Sequence, residues 1–153
     1  MWTLRLPAAL VAAGVVGVAD AEAQAVQRFN PPGLSTPAPG TFSHVARVGK
    51  LVFIAGQVGT KADGSLAGPE MKAQLEQVLE NLRIALASQG ADFSHVTKLT
   101  TFVTSITEYR GPGLAEARAK YFGSVPPPNT LVQIGRLASP ALKIEIEATA
   151  ALP

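Results

Sequence analysis

The sequence of 153 residues is long enough for one domain with its own core and too short for two domains of ordinary size. Hydrophobic residues make up 47% of the chain and charged residues 16%, a balance that excludes a disordered protein. The formal charge of +2 comes from singly scattered lysines and arginines, which excludes a nucleic-acid groove, and the absence of cysteine excludes disulfides and thiolate metal sites.

The first 25 residues follow the pattern of a secretory signal peptide. Arg5 precedes an apolar run over 6–19, and the A-Q-A triplet at 23–25 is typical of a cleavage site. The run is short for a membrane span. We therefore expect cleavage after Ala25, a periplasmic or secreted mature protein, and no stable membrane association. An uncleaved anchor and a buried helix are the alternatives.

Residues 26–41 contain four prolines and two glycines, which predicts an extended lead-in to a domain that spans residues 42–153. Two β-rich runs, 44–48 and 51–58, then flank Gly49-Lys50 at the spacing of a tight hairpin. The second run, LVFIAGQV, is almost entirely apolar, so we expect it to be buried on both faces of a sheet.

Pro69 and Glu70 are typical of the first turn of a helix, and apolar residues then recur at helical spacing as far as Leu86. Gly90 is suited to the left-handed backbone conformation that commonly ends a helix. The threonine-rich run 96–104 predicts a strand with one partly solvated face.

A second helix is predicted over residues 112–122, with Arg118 on its outward face, and the prolines at 126–128 must end it. Two strands, 130–137 and 142–150, complete the chain. The predicted order ββαβαββ indicates an α+β fold in which two helices cover one face of a mixed sheet. Contact with other subunits would cover the second face.

Four segments together resemble the RidA/YjgF family of reactive-intermediate deaminases across residues 40–150. They are VGKLVFIAGQVG (48–59), QLEQVLENLRIALASQGADFSHV (74–96), KLTTFVTSITEY (98–109) and VPPPNTLVQIGRLASPALKIEIEATA (125–150). The resemblance implies a chorismate-mutase-like fold and a homotrimer with small-molecule clefts between its subunits. It also implies hydrolysis, without metal or cofactor, of imines or enamines derived from amino acids to keto acids and ammonia.

Carried over by position, the resemblance assigns the carboxylate that handles water to Glu147 and places the backbone of Gly56 and Leu131 in the cleft. Four cleft positions depart from the pattern of active deaminases. They are Asn129 in place of an anion-binding arginine, Phe42 in place of a tyrosine, Ala55 in place of a serine, and Ala115 in place of an asparagine. An amide carries no charge, so we expect an anionic imino acid to bind weakly at Asn129.

Glu145 and Glu147 alternate with apolar residues on the last strand, so both side chains point to one face about 7 Å apart. Two shielded carboxylates at that distance raise the pKa of one of them. Pairing with Lys143 or with basic residues of adjacent strands is the alternative. It is the preferred interpretation for Glu145, whereas the resemblance favours catalysis for Glu147.

Other polar residues carry weaker signals. His44 and His95 lack the spacing of metal ligands, so they are interpreted as ordinary histidines. Arg136 lies seven residues after Asn129, which on an unbroken strand places it on the opposite face. Two hypotheses follow: a trimeric imine or enamine hydrolase that uses Glu147 and Asn129, or a trimer that binds a small metabolite without turnover.

Overall fold

The computed structural model describes residues 24–153, so the predicted signal peptide lies almost wholly outside the described residues. Within 24–153, no helix is long and apolar enough to cross a membrane. The elements in chain order are β1 (Gln27–Phe29), β2 (Val45–Val48), β3 (Leu51–Val58), α1 (Met71–Ala87), a 3-10 helix (Phe93–His95), β4 (Val96–Val103), α2 (Ile106–Tyr109), α3 (Leu114–Phe122), β5 (Asn129–Gln133) and β6 (Ile144–Ala151).

The six strands form one sheet in the order β1-β2-β3-β6-β4-β5. Strands β4 and β5 are parallel and every other adjacent pair is antiparallel, which confirms the predicted mixed sheet and α+β class. Three elements were not predicted. Strand β1 lies inside the predicted lead-in, where it pairs with the edge of β2. The 3-10 helix precedes β4, and α2 precedes the second main helix.

Helix α1 covers β3 and β6, and α3 packs beside α1. The stripe that α1 turns to the sheet includes Leu75, Leu79, Leu82 and Leu86, all fully buried. Burying a side chain of this size contributes about 1.5–3 kcal/mol. Both main helices therefore lie on one side of the sheet, as the sequence predicts.

The opposite side of the sheet, which we call the open face, has no helix of residues 24–153 against it. On β3, Val52 and Ile54 are buried against the helices, whereas Leu51 and Phe53 are 46% and 44% exposed on the open face. The prediction that this strand is buried on both faces is therefore wrong for the single chain. An apolar run alone does not reveal that both helices lie on the same side.

Strand β3 contains a β-bulge at Ala55 and Gly56. Ile54 pairs with Ala148 and Gln57 pairs with Ile146, so two residues of β3 stand opposite Glu147 on β6. The extra residue changes the alternation of β3, and the side chain of Gln57 consequently points into the helix side, where it is 2% exposed.

Several predicted boundaries differ from the structure, and the clearest differences lie in the C-terminal third of the chain. Gly113 has a φ of +79°, which a right-handed helix cannot contain, so α3 begins at Leu114 rather than at 112. Strand β5 ends at Gln133 rather than at 137, and β6 begins at Ile144 rather than at 142. The intervening segment includes the turn in which Leu142 N–H donates to Ser139 O.

Candidate functional site

Strand β6 places two carboxylates on the open face. Ile144, Ile146 and Ala148 are buried on the helix side, so Glu145 and Glu147 project from the other face, as the alternation predicts. Because β6 lies between β3 and β4, both carboxylates lie near the middle of the sheet rather than at its edge.

Glu145 is partly buried beside the bulge. Its side chain occupies the space next to Gly56, where an added Cβ would lie 2.6 Å from the Glu145 Cδ. Burial, and secondarily the neighbouring Glu147 carboxylate, raise the pKa of Glu145 above the ordinary glutamate value of 4.5. Within residues 24–153 no cation lies within 4.0 Å of this carboxylate.

The predicted ion pair of Glu145 with Lys143 is absent from the described chain. Lys143 Nζ instead donates to Glu108 Oε2 on α2 at 2.7 Å. Lys98, from the adjacent strand β4, donates to Thr130 Oγ1 at 2.6 Å and to Leu99 O at 2.7 Å. The structural interpretation that the sequence favoured for Glu145 is therefore wrong.

Glu147 is exposed and lines a groove of about 370 Å³ on the open face. Ala55, Phe53, Lys98 and Thr100 are among the other residues of this groove. Since the bulge stands opposite Glu147, the structure brings three sequence-predicted residues together: Glu147, Ala55 and Gly56.

Gln57 and His44 hold the bulge from the helix side. Gln57 Nε2 donates to Ala55 O at 2.8 Å and to His44 Nδ1 at 3.2 Å. Because His44 Nδ1 accepts, its Nε2 carries the proton and donates to Ser35 O at 2.7 Å. His44 is thus a buried structural histidine. His95 contacts Asp92 Oδ1 at 3.0 Å in a capping box, and no cluster suited to a metal occurs within 24–153.

Asn129 lies on the helix side of the sheet, away from the carboxylates. Its Oδ1 accepts a hydrogen bond from the buried Thr101 Oγ1 at 3.0 Å. It lines a cavity of about 400 Å³, which we call the helix-side cavity. The lining residues are Leu99, Thr101, Tyr109, Ala115, Arg118, Ala119, Phe122, Gly123, Pro126, Pro127, Asn129 and Ile146. Leu131, one pleat further along β5, packs against the core.

The sheet itself separates Asn129 from Glu147 within one chain. The two residues belong to β5 and β6, which are separated by β4, so their backbones lie about 10 Å apart. Their side chains point to opposite faces, because Asn129 shares the face of its partner Leu99 and Glu147 shares that of Thr100. One small ligand cannot contact both side chains of the same chain.

Phe42 lies in neither the open-face groove nor the helix-side cavity. It is 52% exposed, packs edge-on against His44 with 5.2 Å between ring centroids, and lines a groove of about 490 Å³ with residues of the lead-in. Ser43 and Ala46 line both this groove and that of Glu147, so the two grooves are neighbours on the molecule.

Sequence reasoning missed the position of Arg118. Its guanidinium Cζ lies 4.4 Å from the centre of the Tyr109 ring and its Nη1 donates to Tyr109 O at 3.4 Å, so the predicted outward orientation is wrong. The spacing of Arg118 from the apolar residues of the helix would have indicated its true position. Arg118 is four residues after Leu114 and one after Ala117, both buried, and therefore lies beside the apolar stripe.

Comparisons with known proteins agree with this fold. The sequence profile of the family described as Endoribonuclease L-PSP matches residues 34–152. Protein DfrA of Myxococcus xanthus is 35% identical over 114 residues, which cover 72% of this chain and 85% of DfrA. A human protein named 2-iminobutanoate/2-iminopropanoate deaminase is 30% identical over 112 residues, covering 72% and 80% of the two chains. The crystal structure of RidA from an Antarctic Psychrobacter superimposes with a TM-score of 0.74 at 27% identity, over 82% of this chain and 99% of RidA.

The raised pKa of Glu145 predicts that this residue destabilises the fold at neutral pH. The folded chain keeps the proton to higher pH than the unfolded chain, so the free energy of unfolding falls as pH rises from about 4.5 through the raised pKa. Glutamine does not ionise. In urea unfolding we expect Glu145→Gln to be more stable than the wild type near about pH 8, with the difference closing toward about pH 4.

Glu147→Gln is the matched control for this prediction. It removes the repulsion between the carboxylates but not the burial, which is the larger cause of the raised pKa. We expect a smaller gain in stability from it. A gain as large as that of Glu145→Gln would contradict the assignment of the effect to burial.

Proposed function

Because the chain belongs to the Endoribonuclease L-PSP family, which is the RidA/YjgF family, we propose that it hydrolyses imines or enamines derived from amino acids, without a cofactor. Relatives named 2-iminobutanoate/2-iminopropanoate deaminase support this reaction class. The observation that carries the proposal is the partly buried Glu145 carboxylate, which has a raised pKa and no cation within 4.0 Å in the described chain.

An imine carbon is already electrophilic, so a positioned base and a water molecule suffice for hydrolysis. The carboxylate takes a proton from water while the water oxygen forms a bond to the imine carbon. The same proton is then returned to nitrogen, which gives a neutral carbinolamine. The carboxylate next takes the hydroxyl proton of this intermediate and delivers it to the amino nitrogen, so that the carbonyl of the keto acid forms as the C–N bond breaks and ammonia leaves. A carboxylate whose pKa is raised above its ordinary value is better matched to these proton transfers than an ordinary glutamate.

Either glutamate of β6 could supply this carboxylate, and we propose Glu145. It lies in the space left by Gly56 and is shielded, whereas Glu147 is exposed. Shielding strengthens the interaction of a charge with a reacting group. The assignment of Glu147 as the base, made from the sequence, stays a prediction. In that assignment Glu145 would act only by changing the pKa of Glu147 through its charge. Variants of the two residues distinguish these assignments.

The proposal includes a homotrimer with the substrate held between subunits. The carboxylates and Asn129 point to opposite faces of one sheet, so a ligand that contacts both must take them from two copies of the chain. Leu51 and Phe53 leave apolar surface on the open face, which contact with other copies would cover.

The first test measures ammonia release from freshly generated 2-aminoacrylate. We expect release by the wild type and a fall in kcat of about 10²–10⁴-fold for Glu145→Gln, the usual effect of losing a general base. Glu147→Gln should keep most of the activity. Loss of activity in Glu147→Gln alone would instead establish the sequence-based assignment.

A protein that releases no ammonia above the uncatalysed rate would disprove the deaminase proposal. The second hypothesis, a trimer that binds a metabolite without turnover, would then be tested by thermal shift with small acids, amines and amides. A ligand that binds only the folded state raises the Tm.

The oligomeric state is tested by sedimentation of the wild type and of Phe53→Glu. Three charges buried in a shared interface are costly, so we expect a trimer for the wild type and smaller species for the variant. Val125→Glu is the control, since Val125 is 85% exposed and lies outside the open face. A wild type that stays monomeric at high concentration would refute the trimer.

Export through residues 1–25 is also part of the proposal. Cleavage after Ala25 would leave β1 complete, because that strand begins at Gln27. We express the 153-residue chain in a bacterium that recognises the signal. We expect to recover it from the periplasm, with a mass that corresponds to a chain whose first residue is Val26. A cytoplasmic product of full mass would contradict export.

A further inference from the structure

The guanidinium of Arg118 is held in place but is not neutralised. It lies over the Tyr109 ring and donates to the Tyr109 carbonyl, two contacts that fix its position. The ion pairs of the described residues join other side chains, and none includes Arg118. A fixed cation without a counter-ion attracts an anion, and the planar fork of arginine suits a carboxylate.

The surroundings of Arg118 strengthen this preference. Among the residues that line the helix-side cavity it is the one charged side chain, and the lining includes neither aspartate nor glutamate. The walls contributed by Leu99, Phe122 and Ile146 are apolar. Low-polarity walls reduce the screening of a charge, so the interaction of this guanidinium with an anion is stronger here than on an open surface.

Asn129 adds directed hydrogen-bond donors to the same cavity. Its Oδ1 accepts from Thr101 Oγ1, which fixes the amide in one orientation and leaves the two Nδ2 hydrogens for another partner. Both the guanidinium and the amide nitrogen donate hydrogen bonds, so a group with several acceptor lone pairs and no donor of its own complements them best. An ionised carboxylate meets that description.

We infer that the helix-side cavity binds the carboxylate of a small acid with a short apolar body, through Arg118 as the cation and Asn129 as the neutral donor. The inference deepens the proposed function and rests on it, since the acid bound here would be the imino acid or its keto-acid product. The cavity volume of about 400 Å³ suits a ligand of that size. Arg118 thus determines specificity for anionic substrates.

The experiment measures binding by calorimetry, without turnover, using two probes. They are 2-oxobutanoate and its neutral counterpart 2-oxobutanamide, which differ in the charged group. The wild type should bind the carboxylate more tightly. In Arg118→Met, which keeps the side-chain stem and removes the charge, we expect the carboxylate to bind at least about tenfold more weakly, the effect of one lost charge-assisted hydrogen bond. Binding of the amide should not change.

Two further variants complete the design. Arg118→Lys keeps the charge but loses the planar fork, so its carboxylate affinity should lie between those of Arg118→Met and the wild type. Lys120→Met removes a charge from the same helix outside the cavity lining and should leave both probes unaffected. The inference is overturned by a wild type without preference for the carboxylate, by undiminished carboxylate binding in Arg118→Met, by equal loss of both probes, or by an equal loss in Lys120→Met.

Failure of this inference and failure of the proposed function give different results. Carboxylate binding that depends on Arg118, in a protein that releases no ammonia, supports the cavity assignment and removes the deaminase. Ammonia release that is independent of Arg118 supports the deaminase and removes the cavity assignment.

Discussion

The β-bulge at Ala55 and Gly56 is the constraint on which the arrangement of the open face depends. Gln57 holds it by donating to the carbonyl of Ala55, and His44 Nδ1, which accepts from Gln57 Nε2, in turn orients the Gln57 amide. The extra residue shifts the alternation of β3, so that Gln57 points to the helices and the bare backbone of Gly56 faces the side chain of Glu145. Any other residue at position 56 would present a Cβ there and would displace the carboxylate.

The sheet acts as a partition as well as a scaffold. The Glu145 carboxylate lies on one side and the Arg118 guanidinium lines the cavity on the other, and neither forms an ion pair with any residue of 24–153. If the two charges shared one face, they would neutralise each other, and neither would be available to a ligand. Their separation keeps both charges available to a ligand. It also means that a single small molecule can contact both groups only where the open face of one copy approaches the helix side of another.

Local patterns in the sequence correctly predicted the features that depend on neighbouring residues, such as the face of a strand and the position of a hairpin. Alternation on β6 placed Glu145 and Glu147 on one face, and the glycine–lysine pair at 49–50 predicted the hairpin. The partners of charged groups depend instead on tertiary contacts. Lys143 pairs with Glu108, which is 35 residues away on the unpredicted helix α2, so the structural interpretation of Glu145 failed. Arg118 was assigned outward because the alternation of charged residues at 116, 118 and 120 concealed its position beside the buried stripe.

Helix α2 connects these two errors. This one-turn helix supplies Glu108, which draws Lys143 away from the β6 carboxylates, and Tyr109, whose ring supports the Arg118 guanidinium. Neighbouring residues of α2 thus leave Glu145 without its expected cation and hold Arg118 at the cavity, where no described residue supplies a counter-ion. A charge without a partner costs stability. The presence of such a charge on each face, at Glu145 and at Arg118, is explained if a ligand supplies the missing partner of each. The neutral donor at position 129 is consistent with a cavity whose cation comes from the helix layer rather than from the sheet.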